Sequence, residues 1–65
     1  MNLLVNGETT SLANAATVSD LIAALEIEGN VAVEINKEIV SRSTFDHHQL
    51  ADGDQVEIVT AIGGG

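Results

Sequence analysis

Apolar and polar residues alternate in two stretches of the chain, 31–35 and 55–62, and a stretch of helical period precedes them. Leu3-Leu4-Val5 is a short apolar run that stops at Asn6-Gly7. Asn-Gly between two extended runs predicts a β-hairpin, because both turn positions need φ > 0. The returning strand covers residues 8–12, where Thr9 and Thr10 favour extended backbone. The helical stretch comes next. Thr17 predicts a helix N-cap, with Asp20 three residues on in a near capping-box arrangement and inside the first turn, where the helix dipole favours an acid. Val18, Leu21, Ile22 and Leu25 follow at helical spacing as one apolar stripe, and Gly29-Asn30 predicts the stop. Alternation begins in residues 31–35, with Val31, Val33 and Ile35 on one face. A turn at 36–38 and a very short strand at Ile39-Val40 come next. Residues 41–49 are polar and irregular, with Phe45 as the anchor into the core. Asp52-Gly53-Asp54 predicts a tight turn, and residues 55–62 a last alternating strand in which Val56, Ile58 and Thr60 face inward.

The order is ββαβ(β)β, an α+β chain whose one helix covers one face of a mixed four- to five-stranded sheet. Most of the chain separates the first and last strands, so a hairpin cannot join them. Lying side by side at the centre they run parallel, which is the β-grasp arrangement. Residues 1–62 make that single domain, and residues 63–65 a flexible glycine tail. Alternation also sorts the two faces. With Leu3 and Val5 toward the helix, Leu4 points to the opposite face, as do Val59 and Ala61. These three predict a small apolar patch on the open sheet face, a candidate partner surface that takes in Ile62 at its border.

Composition narrows the chemistry. The chain has 65 residues, enough for one small domain that buries roughly 60% of its unfolded surface. It has no cysteine, which excludes disulfides, thiolate zinc sites and cysteine nucleophiles. Hydrophobic residues make up 45%, too many for a disordered chain, and Phe45 is the lone aromatic, so the core is aliphatic. Ten acidic residues face only Lys37 and Arg42, for a formal net charge of −8. Without a basic cluster or a stacking platform, nucleic acid and anionic membrane are poor partners, and a basic protein surface is a better one. No signal peptide pattern opens the chain and no apolar run approaches the about 20 residues of a membrane span. The expectation is a cytoplasmic protein, monomeric when free.

Side-chain chemistry is sparse. His47 and His48 are adjacent, so regular structure would send them to different faces, and no third metal ligand is close in sequence. Asp52 and Asp54 flank a glycine and shape a turn. No glycine-rich loop joins a strand to a helix, so a phosphate cradle is not supported. Gly63-Gly64-Gly65 remains. A segment without side chains can thread a narrow channel and present a carboxylate at a buried site, because no Cβ meets the walls. Such a carboxylate can be activated as an acyl adenylate by a partner using ATP, after which a sulfur nucleophile displaces AMP.

The chain resembles the small sulfur carriers of thiamine (thiazole) biosynthesis, the ThiS family, relatives of the molybdopterin-synthase small subunit and of ubiquitin. The resemblance rests on Val5-Asn6-Gly7-Glu8, on Thr17-Val18-Ser19-Asp20-Leu21-Ile22 and on Val31-Ala32-Val33-Glu34-Ile35-Asn36. It continues in Ile39-Val40-Ser41-Arg42-Ser43, in Asp52-Gly53-Asp54-Gln55-Val56-Glu57-Ile58-Val59 and in the terminal glycines. It implies a non-catalytic carrier with no bound cofactor. Gly65 would be the residue adenylated and converted to a thiocarboxylate, with Gly64 and Gly63 as the thin neck behind it. The implied partners are an adenylyltransferase similar to ubiquitin-activating enzymes, a sulfur donor such as a cysteine desulfurase, and thiazole synthase as acceptor. Many relatives have proline and tryptophan where this chain has Ser41 and Phe45, and an aromatic residue where it has Ala61. A carrier for molybdopterin or a sulfur amino acid, a ubiquitin-like modifier conjugating through Gly65, and an interaction module with an inert tail stand as alternatives.

Overall fold

The computed structural model describes residues 1–60; Ala61, Ile62, Gly63, Gly64 and Gly65 lie outside the described residues. Five strands and one α-helix follow the expected order: β1 (Asn2–Val5), β2 (Glu8–Ser11), α1 (Val18–Ala24), β3 (Val31–Ile35), β4 (Glu38–Val40) and β5 (Gln55–Thr60). A single 3-10 turn, Arg42–Thr44, sits in the segment between β4 and β5. The strands form one sheet in the order β2-β1-β5-β3-β4. β1 and β5 are parallel, with Val5 opposite Val56, and the other three pairings are antiparallel.

Both hairpins turn through two residues with φ > 0. Asn6 and Gly7 have φ of 48° and 83°, as the Asn-Gly pair predicts, and Asn36 and Lys37 repeat the geometry at 51° and 71°. The second turn is therefore tighter than the three residues read from the sequence, and Glu38 already belongs to β4.

The helix opens on a complete capping box. The Thr17 hydroxyl accepts from the Asp20 backbone N–H at 3.2 Å, and the Thr17 N–H donates to the Asp20 carboxylate at 2.8 Å. The next two backbone donors are used by the segment after β4: the Val18 N–H donates to the His48 carbonyl at 3.0 Å and the Ser19 N–H to the Phe45 carbonyl at 3.1 Å. Every N–H of the first turn thus has a partner, and that irregular segment is held against the helix by the groups it satisfies.

The helix ends earlier than Gly29-Asn30 suggests. Leu25 is the C-cap, and Glu26 takes φ of 55°, the left-handed position usually given to glycine. The Glu26 N–H donates to Ala23 and the Ile27 N–H to Ile22, the paired bonds of a Schellman ending, while Ile22 and Ile27 both pack on the core. Leu25 consequently leaves the apolar stripe and is 38% exposed.

The core lies between the helix and one sheet face. Leu3 and Val5 from β1, Val31, Val33 and Ile35 from β3, and Val56 and Ile58 from β5 meet Val18 and Leu21, with Phe45 and Leu50 closing the end. Phe45 is buried, as expected of the one aromatic residue. Thr60 is not: the strand pattern placed it inward, but it is exposed. β1 runs out at Val5 opposite Val56, so nothing flanks Thr60 on that side among the described residues.

Two substitutions test this packing. Leu21 is fully buried, so Leu21→Ala should cost about 3 kcal/mol in a urea titration, a large share of what a domain this small has. Lys37→Gly should raise stability by about 0.5–1 kcal/mol in the same titration, because relief of a left-handed side-chain clash of about 1–2 kcal/mol exceeds the entropic cost of glycine.

Candidate functional site

The open face of the sheet is built by parity. Where Leu3, Val5, Val56, Ile58, Val33 and Ile35 face the helix, their neighbours Leu4, Glu57, Val59, Ala32 and Glu34 must face away. Leu4 is 38% exposed and Val59 is 64% exposed, which places both where the alternation predicts. Ala32 lies directly opposite Val59 in the β3–β5 register and extends that end of the patch. Ala61 and Ile62, assigned to the same surface from the sequence, lie outside the described residues, as do Gly63, Gly64 and Gly65.

One apolar member of this face escaped the sequence reading. Ile39 is 82% exposed and sits opposite Glu34 on the edge strand β4. The signal was available in Val40, which turns into the core and so sends Ile39 outward, but a two-residue apolar run gives no parity of its own.

β5 carries the chain toward residues 61–65, and side chains hold it on both edges. On one edge the Leu4 and Asn6 backbone N–H groups donate to the Asp54 and Val56 carbonyls at 3.0 and 2.9 Å. The Asn6 side chain then takes over. Its Oδ1 accepts from the Ile58 N–H at 2.8 Å and its Nδ2 donates to the Ile58 carbonyl at 3.1 Å. An amide side chain has one acceptor and one donor group, like a peptide unit, so Asn6 extends the parallel ladder by one rung after its own backbone has turned away. On the other edge the Asn36 Oδ1 accepts from the Gln55 N–H at 3.0 Å, while its Nδ2 donates to Asp54 at 3.0 Å. The sequence marked both asparagines only as turn residues.

The remaining candidates take structural roles. Asp52 accepts from the Asn2 N–H at 2.7 Å and Asp54 from the Ala51 N–H at 2.8 Å, so both carboxylates shape the turn before β5, where Gly53 has φ of 88°. His47 and His48 lie in the turn after the 3-10 segment, and no group of three metal-ligating side chains forms among the described residues. No helix among them is long and apolar enough to cross a membrane.

A helix gripped by a mixed sheet with parallel central strands, a last strand leading to three glycines, and an open face with exposed aliphatic side chains define a β-grasp protein of the ubiquitin-like kind. The ThiS family model matches residues 3–65, and the chain belongs to the ThiS family. It is similar to the sulfur carrier protein ThiS of Bacillus subtilis, 38% identical over 80% of each chain. It is also similar to a thiazole synthase of Paramagnetospirillum magneticum, 42% identical over the whole of this chain but only 20% of the length of that protein. Among solved structures, the thiamine biosynthesis protein (ThiS) of Geobacter metallireducens superposes with a TM-score of 0.84 at 39% identity, with both chains covered completely.

Asn6→Gly keeps a residue suited to φ > 0 and removes only the side-chain rung. It should cost about 1–2 kcal/mol and speed hydrogen exchange of the Ile58 amide well above that of the Val33 amide on the neighbouring strand.

Proposed function

We propose that the protein is a sulfur carrier of thiazole formation, with Gly65 as the residue that bears the sulfur. The observation that carries this reading is the family match, which runs through the last residue and so includes the three glycines. The chain is a co-substrate in this scheme and not a catalyst. A Gly65 carboxylate oxygen attacks the α-phosphorus of ATP on an adenylyltransferase similar to ubiquitin-activating enzymes, and pyrophosphate leaves. The terminal sulfur of a persulfide, supplied through a donor such as a cysteine desulfurase, attacks the acyl carbon and AMP leaves with one former carboxylate oxygen; a thiol then reduces the resulting acyl disulfide, which frees the donor and leaves the thiocarboxylate. The thiocarboxylate sulfur then bonds to a carbonyl carbon of the substrate held by thiazole synthase, the acyl–sulfur bond breaks, and the oxygen displaced from that substrate, or water, returns Gly65 to the carboxylate.

The described part of the fold supports that role in two ways. The core holds the sheet without using Leu4 or Val59, so both are free for a partner. The Asn6 and Asn36 bonds hold β5 at Gln55 and Ile58, so the strand that precedes the glycines is fixed on the sheet. Gly63 and Gly64 add no Cβ to a channel they would thread.

The test is an intact-mass measurement after incubation with ATP, a sulfur source and the cognate adenylyltransferase. The expected result is a single oxygen-for-sulfur exchange located at Gly65, and no exchange in a chain lacking Gly65 that remains folded. No exchange in the intact chain, under conditions that load a control carrier, rules the reading out. Val59→Asp should weaken binding to the adenylyltransferase about tenfold with an unchanged fold; equal affinity would remove the open face from the site.

A further inference from the structure

Glu34 and Glu57 lie directly opposite each other in the β3–β5 register, at the middle of the open face. Like charges in that position destabilise an antiparallel pair, and an uncharged residue at either site would relieve the sheet. Among the described residues nothing compensates them. Arg42 is outside the sheet and donates to Asn30 at 2.7 Å, Lys37 is in the β3–β4 turn, and the other charged side chains are the acids of a chain with net charge −8. The hydrogen-bond parity of β5 makes this the widely spaced kind of pair. Ile58 bonds toward β1 through Asn6 and Gln55 toward β3 through Asn36, so Glu57 exchanges backbone bonds with Glu34. The Cα atoms of such a pair stand about 5.5 Å apart, against about 4.5 Å in the other kind.

Apolar side chains surround the pair. Ile39 flanks Glu34 on β4, Val59 and Ala32 form the next pair along the two strands, and Leu4 lies across from Gln55 on β1. We infer that Glu34 and Glu57 together receive an arginine side chain of the activating enzyme, set in an apolar patch of that partner which covers Ile39 and Val59. The guanidinium is planar, permanently charged and carries five donors, which matches two carboxylates better than the point charge of lysine. The aliphatic collar excludes water from the contact and strengthens it. The unfavourable pair in the free protein is then a feature of the docked state, in which the added cation cancels the repulsion. This rests on the reading of the chain as a carrier activated by a partner and adds the residues that select the partner.

The experiment measures affinity for the cognate adenylyltransferase by calorimetry at low and moderate salt, with unfolding curves for each variant. Glu34→Gln, Glu57→Gln and the double variant keep the shape of both side chains. The expected result is a tenfold or greater loss of affinity in the double variant, a flatter salt dependence, and an unfolding midpoint equal to or above that of the wild type. After the enzyme's arginines are blocked with phenylglyoxal, wild type and double variant should bind alike. A double variant that binds as the wild type does, or whose midpoint falls in step with its affinity, overturns the inference. So does a loss confined to thiazole synthase, or discrimination that survives the arginine block. A wild-type chain that gains sulfur while its affinity ignores both substitutions overturns this inference alone; one that neither binds nor gains sulfur overturns the carrier reading with it.

Discussion

The fold depends on one pairing, the parallel contact between β1 at the start of the chain and β5 near its end. Closing a loop of that length is entropically unfavourable before any contact rewards it, and a parallel pair is slightly weaker per residue than an antiparallel one. The chain meets this with side chains as well as backbone. β1 runs out opposite Val56, and Asn6 supplies the missing rung to Ile58 through its amide. Asn36 secures the start of the same strand from the other side. Both asparagines sit at φ > 0, so one residue type both reverses the chain and anchors the central strand. The helix is fastened by a comparable economy, because carbonyls of the segment after β4 satisfy the first-turn donors that a helix otherwise leaves open.

Local chemistry made much of this legible in the sequence. The Asn6-Gly7 turn, the Thr17–Asp20 capping box, the buried alternation of β3 and the outward placement of Leu4 and Val59 each follow from spacing within a few residues, and the structure has all of them. The misreadings share a cause. Thr60 has the parity of a core residue, yet burial also needs a neighbouring strand, and β1 has ended by then. The helix stops at Leu25 because Ile27 folds back on Ile22, a packing choice that lets Glu26 take a conformation its own side chain disfavours. The second role of Asn6 was hidden because Ile58, its partner, is far away in sequence. The pairing of Glu34 with Glu57 was hidden for the same reason: parity says which face a residue takes, while only register says what stands opposite.

The two faces of the sheet follow different rules. The helix side is wholly apolar, and no buried polar side chain lacks a partner among the described residues. The open side holds aliphatic residues in water and two carboxylates opposite each other, both of which lower the stability of a small domain. A chain of this length has little stability to give up. The sheet-stabilising choices are concentrated where no partner is proposed to touch, and the unfavourable ones where the carrier reading needs a docking surface.

That distribution also bears on the missing cysteine. A protein that held sulfur on a side chain would need a reactive thiol inside a core too small to shield it, or on a surface where it would oxidise. In the proposed reading the reactive atom is instead on the main chain at Gly65, created by the activating partner and consumed by the acceptor. The carrier then has no pKa to tune and no pocket to build. Its requirements reduce to a face that selects the partner and a strand held firmly enough to aim residues 61–65. Val59 of the exposed patch lies on β5, the same strand that Asn6 and Asn36 anchor, so in the proposed reading a partner that binds the face holds the strand from which the glycine-bearing segment continues.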